Sequence, residues 1–266
     1  MKRVAVIGCG ALGGILARNF RRVLGDSYAL CGLLANHYEH AEALGAEVGA
    51  PACHDLPELL AKKPDLVVEI AGGAAVRQHG EAVLRAGCSL VVVSVGALAD
   101  AGLKAGLEAA ARETGAMIYL VNGAIGGLDL MQTMALMGNA SAAIESSKAP
   151  RSLNGAPGLG GRELPADREE IAFSGTVEQA IAGFPKNVNV AVATALASGC
   201  PGTSVSVRSV PGITENRHAI RLESPVLSAE IMVRARPDPE NPRSSTATAW
   251  SVLALLKNLA GPIFMY

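Results

Sequence analysis

The sequence has no excess of charge of either sign, since 23 lysines and arginines are balanced by 24 aspartates and glutamates among 266 residues. The net charge of −1 gives no electrostatic basis for binding nucleic acid or an anionic membrane. No apolar stretch is both long enough and free enough of glycine to span a bilayer. We therefore expect a cytoplasmic protein that acts on small molecules, built as one large domain or two modest ones.

Cysteine pairs are also absent. The five cysteines are odd in number, widely spaced and without a C-x-x-C pair, which excludes an evident disulfide framework or zinc site. They are Cys9, Cys31, Cys53, Cys88 and Cys200. We expect buried thiols in a reducing compartment, and no metal, because no credible cluster of metal ligands is present.

The first 20 residues, MKRVAVIGCGALGGILARNF, fit two interpretations. A basic start before an apolar run is typical of a secretory signal peptide, but no small-residue cleavage site follows and the run continues into Arg18. The second interpretation explains more residues. Val4–Ile7 is a continuous apolar run typical of a buried parallel strand, and G-C-G-A-L-G follows it before a helical pattern. We therefore expect a dinucleotide-binding loop.

The glycines of this loop have separate expected roles. Gly8 permits the tight turn, Gly10 lets the backbone approach a pyrophosphate, and Gly13 lets the helix pack closely on the strand. The helix would direct its N-terminal N–H groups at the phosphates. We predict that Gly8, Gly10, Ala11, Leu12 and Gly13 bind the cofactor.

Strand-like and helix-like segments alternate through the first half, which predicts a Rossmann-type, doubly wound parallel sheet. Three small-residue loops, AGGAA (71–75), SVGAL (94–98) and NGAIGG (122–127), follow predicted strands and would converge beside the phosphate loop, although each also fits an ordinary turn. The strand predicted for SLVVVSVGAL (89–98) has the second of these small-residue segments at its carboxyl end. We predict a dinucleotide-binding domain over 1–123.

The second half indicates a smaller α+β domain over 124–266, for substrate binding and dimerisation. TSVSVRSV, HAIRL and LSAEIMVRARP alternate apolar and polar residues, which predicts a largely antiparallel sheet. A glycine- and proline-rich segment, PRSLNGAPGLGGRELP, fits a mobile flap or a linker. A C-terminal helix is predicted over 244–259, with Ser244 or Ser245 as its N-cap. This helix could pack against the first domain.

Cofactor choice depends on the end of the second strand, where a carboxylate selects NAD and an arginine accommodates NADP. This chain has the uncharged Asn36, which can bind a ribose hydroxyl without repelling a phosphate. His37 and His40 fit solvated helix positions better than phosphate ligands. We predict NAD as the cofactor, with NADP also accepted.

The chain resembles the L-aspartate dehydrogenase family along essentially its whole length. The resemblance rests on the glycine loop and on SVGAL (94–98), NGAIGGLD (122–129), FPKNVNVA (184–191), NRHAI (216–220) and NPRSS (241–245). The combination of FPKNVNVA with a downstream NRHAI is more specific than the glycine loop. In that family the strand histidine is the active-site residue, so the resemblance assigns catalysis to His218. It also implies that Ala124 and Asn189 contact the nicotinamide half of the cofactor.

The reaction that the resemblance implies is hydride transfer from L-aspartate to NAD(P). The product is iminosuccinate, which hydrolyses to oxaloacetate and ammonia and is available to NAD biosynthesis. A base near neutral pH is needed to take a proton from the amine, and histidine suits that task. The resemblance also implies a homodimer formed through the sheet of the second domain.

The residues alone leave other roles open. His218 has the strand parity of apolar neighbours and so also fits a core histidine. Asn187 and Asn189 also fit helix capping, and Lys148 and Arg243 are either carboxylate anchors or solvated charges. Two other functions fit the pattern: another Rossmann-type amino-acid dehydrogenase or imine reductase, and a non-catalytic NAD-binding sensor.

Overall fold

The computed structural model describes residues 1–185, 188–200, 202–236 and 245–265. The chain forms two compact units, of which the first comprises Met1–Val121 together with Thr246–Tyr266, and the second Asn122–Ser245. The C-terminal helix thus belongs to the first unit. Among the described residues, none of the helices combines the length and the apolar character that crossing a bilayer requires.

The first unit contains a six-stranded sheet in which every strand pair is parallel. Its strands are β1 (Lys2–Ile7), β2 (Tyr28–Leu34), β3 (Ala52–Cys53), β4 (Leu66–Glu69), β5 (Ser89–Val92) and β6 (Ile118–Leu120). Its helices are α1 (Ala11–Leu24), α2 (Tyr38–Val48), α3 (Leu56–Ala61), α4 (Gly73–Arg85), α5 (Ala101–Thr114) and α10 (Ala247–Ala260). The strand order β3-β2-β1-β4-β5-β6 is that of the Rossmann fold, which confirms the predicted fold class.

The core of the first unit explains why these segments form these elements. Val4 and Val6 of β1 are completely buried, as expected for a strand that is covered on both faces. Leu16 and Phe20 recur at helical spacing in α1 and pack in the same core as Leu253 of α10. The C-terminal helix is therefore part of the hydrophobic core that positions the glycine loop.

The second unit contains a five-stranded sheet in the order β11-β10-β7-β9-β8. Its strands are β7 (Ser141–Lys148), β8 (Glu170–Thr176), β9 (Ser204–Ser209), β10 (Asn216–Glu223) and β11 (Ser228–Ala235). Its helices are α6 (Leu128–Met137), α7 (Pro150–Leu153), α8 (Val177–Gly183) and α9 (Asn189–Ser198). β7 and β9 are parallel and the other three pairs are antiparallel, so the largely antiparallel sheet is confirmed.

Three sequence expectations differ from the structure. The predicted strand 89–98 ends at Val92, and a 3₁₀ turn runs from Val95 to Ala99. Strand β8 was not predicted. The N-cap position of α10 is occupied by Thr246, which makes no side-chain capping bond, and not by the predicted Ser245; Ser244 lies outside the described residues.

The glycine- and proline-rich segment is neither a free flap nor a plain linker. It forms α7 and a short 3₁₀ turn, and its leucines are buried. Leu153, Leu159 and Leu164 pack in one cluster with Phe184 and Val207. This packing is typical of an ordered surface loop that is fixed by its own apolar side chains.

Candidate active site

The glycine loop follows β1 and leads directly into α1. Gly8 has φ +119°, and a Cβ atom added there would lie 2.7 Å from the carbonyl carbon of Ile70. A Cβ atom at Gly13 would overlap the carbonyl oxygen of Gly8. Both positions therefore require glycine for the fold itself, because any side chain would collide with backbone.

Gly10 behaves differently from its two neighbours. A Cβ atom at Gly10 would meet no atom of the described residues within 4 Å, and the φ of −77° suits any residue. The fold thus does not require glycine here. The open space beside this residue is what a pyrophosphate needs in order to approach the backbone.

The start of α1 supplies the matching electrostatics. Gly10 is the N-cap and makes no side-chain capping bond, and the first turn, which begins with Ala11 and Leu12, holds no acidic residue. The first N–H groups of the helix and its positive dipole end are therefore available to an anion. The loop fits a dinucleotide, because it combines open space with backbone donors.

Asn36 lies where the ribose-binding residue was expected. It is exposed and stands two residues beyond Leu34, whose carbonyl oxygen accepts a hydrogen bond of 2.8 Å from the N–H of Gly8. The β2 end and the glycine loop are thus neighbours. His37 and His40 are also exposed, and their rings are 5.7 Å apart in an edge-on arrangement.

One polar residue of the first unit was missed by sequence analysis. Glu69, the last residue of β4, is only 1% exposed, and its carboxylate accepts hydrogen bonds from the loops after β4 and β5. In sequence it is simply the end of an apolar run. The only available signal was the cost of burying a carboxylate, which demands donors nearby.

In the second unit, the covered face of the sheet changes from apolar to polar along its strands. Ile144 and Ile220 are buried register partners on this face, and the next pair on the same face is polar. It consists of Ser146, two residues after Ile144, and His218, two residues before Ile220 on the antiparallel strand. His218 and Ser146 are register partners and are each 4% exposed. The predicted inward direction of His218 is therefore found, in a polar surrounding.

His218 and Ser146 are joined by a hydrogen bond. Nδ1 of His218 lies 2.9 Å from Oγ of Ser146. Burial first, and then the positive charge of Lys148, lower the pKa of His218 to about 4. The imidazole is therefore neutral near pH 7, and the serine fixes the direction of its ring.

Lys148 lies on the same face as Ser146, two residues further along β7. Its side chain is buried, with 6% exposure, and burial lowers its pKa to about 8. Its register partner on β9, Ser209, is completely buried, and the hydroxyl of Ser209 has no hydrogen-bond partner among the described residues. The polar end of the sheet thus holds a cation, a hydroxyl and a neutral imidazole.

The remaining predicted residues belong to the second unit. Ala124 is half-buried in the turn closed by the hydrogen bond from Ile125 N–H to the Asn122 carbonyl, and Asn189 is the exposed first residue of α9. The N-cap of α9 is Val188. Asn187 and Arg243 lie outside the described residues. Within the ranges that the structure describes, no group of three or more His, Cys, Asp or Glu residues is placed to hold a metal ion.

Comparison with known proteins agrees with this arrangement. The family described as "Aspartate dehydrogenase, C-terminal" matches residues 129–259, and "Homoserine dehydrogenase, NAD binding domain" matches residues 8–121. The chain is 40% identical over 258 residues to L-aspartate dehydrogenase 2 of Bordetella bronchiseptica, covering 96% of each chain. It is 32% identical to L-aspartate dehydrogenase of Methanococcus maripaludis, covering 99% of this chain and 98% of that relative.

A solved structure shares the fold. The crystal structure of aspartate dehydrogenase from Thermotoga maritima superposes with a TM-score of 0.76 over all of both chains, at 23% identity. The matches in sequence extend through both units, including the glycine loop and the strand that carries His218. The chain therefore belongs to the L-aspartate dehydrogenase family.

Proposed function

We propose that this protein oxidises L-aspartate with NAD as hydride acceptor and accepts NADP as well. The observation that carries the proposal is the pairing of a buried, neutral His218 with Ser146 beside the cation of Lys148. The immediate product is iminosuccinate, which hydrolyses to oxaloacetate and ammonia and is available to NAD biosynthesis. Membership of the family supports the choice of substrate.

The glycine loop is the proposed cofactor site. The backbone of Gly8, Gly10, Ala11, Leu12 and Gly13 would hold the pyrophosphate, for the steric and electrostatic reasons given above. When bound there, the nicotinamide cofactor supplies the hydride acceptor. Asn36 would bind the ribose, and Ala124 and Asn189 are proposed to contact the nicotinamide half.

His218 is proposed to move the proton. Hydride leaves the α-carbon of the substrate only after the amine has lost a proton and can donate its electron pair to the forming C=N bond. To accept that proton at Nε2, the ring must carry its own proton on Nδ1, which then donates to Oγ of Ser146. The observed hydrogen bond fits this tautomer, since the hydroxyl oxygen is able to accept.

Lys148 is proposed to bind a substrate carboxylate. Its buried ammonium lies close enough to lower the pKa of His218. An arriving carboxylate would offset that positive charge and raise the pKa of His218 towards neutrality, which makes the imidazole a better base at the moment it is needed. The buried hydroxyl of Ser209 offers a second polar contact at the same end of the sheet.

A substrate panel tests the proposed function. The purified protein is assayed with L-aspartate, D-aspartate, L-glutamate and L-alanine, each with NAD and NADP, by following NAD(P)H absorbance. We expect turnover with L-aspartate and with both cofactors. Turnover confined to another amino acid would indicate a different dehydrogenase, and NADH binding without any turnover would indicate a sensor.

We also propose a cytoplasmic homodimer. All five cysteines are free thiols, which fits a reducing compartment.

The proposed dimer interface is the face of the five-stranded sheet opposite to His218. On this face Met232 is 55% exposed, and its register partner Ala219 is in turn the register partner of Glu145. If two copies pair through this face, Met232→Asp should shift the mass measured by light scattering from dimer to monomer. A wild-type monomer would contradict the proposal.

A further inference from the structure

Glu69 connects two loops at the carboxyl edge of the parallel sheet. Its Oε1 accepts hydrogen bonds from the N–H groups of Ala71 and Gly72, at 2.9 and 2.8 Å. The same oxygen accepts from the hydroxyl of Ser94 at 2.9 Å, and Oε2 accepts from the N–H of Ser94 at 3.0 Å. A carboxylate is suited to this arrangement, because all of its lone pairs accept and none of its atoms donates when it is ionised.

These bonds fix the first residues after two adjacent strands. Ala71 and Gly72 lead into α4, and Ser94 is the N-cap of the 3₁₀ turn that forms the SVGAL loop. β4 also pairs with β1, where Glu69 is the register partner of Ile7. Glu69 therefore stands one strand away from the glycine loop, at the point where the strand order reverses.

The location has a functional meaning in this fold. A doubly wound sheet binds a dinucleotide across the point of strand reversal, and each half of the sheet takes one mononucleotide. The phosphate loop after β1 and the strand end at Asn36 belong to one half, whereas the loops after β4 and β5 belong to the other. The loops that Glu69 holds are thus placed to receive the half of the cofactor that does not carry the adenine.

We infer that Glu69 is a positioning residue for the nicotinamide cofactor: its buried carboxylate sets the conformation of the loops that begin at Ala71 and Ser94. This rests on the proposed cofactor site at the glycine loop. The proposed role of Glu69 is indirect, because its carboxylate oxygens are already occupied by Ala71, Gly72 and Ser94. It acts through the backbone N–H groups and the hydroxyl that it orients.

Glu69→Gln is the primary variant. The amide has nearly the same shape, but its NH₂ group donates, so at least one of the loop donors must face another donor. We expect the dissociation constant of NADH, measured by fluorescence titration, to rise about tenfold. This is the change expected if the free energy contributed by one hydrogen bond to a charged group has to be supplied by NADH in ordering the loops. KM for NAD should rise in parallel, while KM for L-aspartate stays near the wild-type value.

A matched control separates positioning from stability. Thr114 is the last residue of α5 and lies near the amino ends of the strands of the same sheet. Its hydroxyl lies 2.9 Å from the carbonyl oxygen of Leu84 and 3.0 Å from that of Ala110. Thr114→Val should lower the melting temperature and leave the NADH dissociation constant unchanged. If Glu69→Gln behaves like Thr114→Val, losing stability but keeping wild-type NADH affinity, the inference is wrong.

Ser94→Ala keeps the test decisive if Glu69→Gln does not fold. This variant removes the hydroxyl bond and retains the N–H bond to Oε2, so we expect a smaller rise in the NADH dissociation constant, about threefold. Wild-type affinity in Ser94→Ala would then overturn the inference.

Gly10→Val distinguishes the proposed cofactor site at the glycine loop from the proposed role of Glu69. Unchanged NADH binding in Gly10→Val refutes the glycine-loop site itself. Lost binding in Gly10→Val with normal binding in Glu69→Gln refutes only the role of Glu69.

Discussion

His218 and Ser146 face each other on adjacent antiparallel strands, and their side chains are joined by a hydrogen bond of 2.9 Å between Nδ1 and Oγ. Because the bond occupies Nδ1, the other ring nitrogen is the one left for chemistry. A flexible ring would lose rotational freedom whenever it had to align with a substrate. Here the strand pairing has already fixed the ring.

Ser146→Ala should therefore reduce turnover without affecting the cofactor. The alanine leaves Nδ1 without its partner and lets the ring rotate, so we expect kcat for L-aspartate to fall about tenfold. KM for NAD and the NADH dissociation constant should not change. Ser146→Thr, which keeps a hydroxyl, should recover most of the loss. Wild-type kcat in Ser146→Ala would show that the hydrogen bond does not support catalysis.

His218→Asn tests the proton-transfer role directly. Asparagine retains hydrogen bonding and some volume, but it does not titrate near neutral pH. We expect kcat to fall by roughly 10²- to 10⁴-fold, the usual contribution of a general acid or base, with nearly normal NADH binding. If His218 were only a core residue, replacing it would lower the melting temperature and would reduce activity only in proportion to the unfolded fraction. Wild-type kcat with an unchanged pH profile would end the assignment.

The low pKa of His218 also predicts how stability depends on pH. In the folded protein the pKa is about 4, against an ordinary value of 6.5. Between these two values the unfolded chain binds a proton that the folded protein does not, so the free energy of unfolding decreases as the pH falls through this window. Wild type should lose up to about 1.4 kcal/mol per pH unit more than His218→Asn. Urea unfolding of both proteins from pH 7 to pH 4 measures the difference, and parallel curves would contradict the pKa shift.

Much of the first unit was predictable, because a strand that is buried on both faces is a continuous apolar run and the helices between strands have helical spacing. Val4–Ile7 is such a run. The second sheet was harder. Alternation predicts a half-covered strand but does not distinguish a parallel from an antiparallel partner, so the parallel pairing of β7 with β9 was not evident. β8 was missed because its register shifts between Ile171 and Phe173, which interrupts the alternation.

Some residues of the candidate site were likewise predictable from the sequence, and some contacts between them were not. Gly8, Gly10 and Gly13 were predictable, since their spacing after a strand has a steric explanation. The inward direction of His218 followed from strand parity, but its partner Ser146 is 72 residues away in sequence, and only the pairing of β10 with β7 brings the two together. The roles assigned to these residues remain predictions.

Asn36→Asp should change cofactor preference. A carboxylate at this exposed position after β2 would repel the 2′-phosphate of NADP and accept a hydrogen bond from the ribose of NAD. The ratio of kcat/KM for NAD to that for NADP should rise, with the NAD activity largely preserved. Asn36→Ala is the control, since it removes the amide without adding charge and should not raise the ratio as much. If the ratio stays constant while both activities persist, Asn36 does not face the ribose.

Gly10 and Gly13 should separate cofactor binding from folding. A side chain at Gly13 would overlap the carbonyl oxygen of Gly8, whereas one at Gly10 would enter space that is empty of protein within 4 Å among the described residues. Gly13→Ala should therefore lower the melting temperature. Gly10→Val should keep the wild-type melting temperature and lose NADH binding, because its side chain fills the place of the pyrophosphate.

Gly106→Val is the matched control for this last comparison. Gly106 lies within α5 of the same unit, and the nearest neighbour of an added Cβ atom is the carboxylate of Glu81 at 3.6 Å. Fluorescence titration with NADH and thermal unfolding should show near-normal affinity for Gly106→Val, with the modest stability change of a β-branched residue in a helix. Since Gly10→Val and Gly106→Val add the same side chain, a loss of affinity confined to position 10 identifies the space beside that residue as the cofactor's. If both variants bind NADH with near-normal affinity, the cofactor site lies elsewhere.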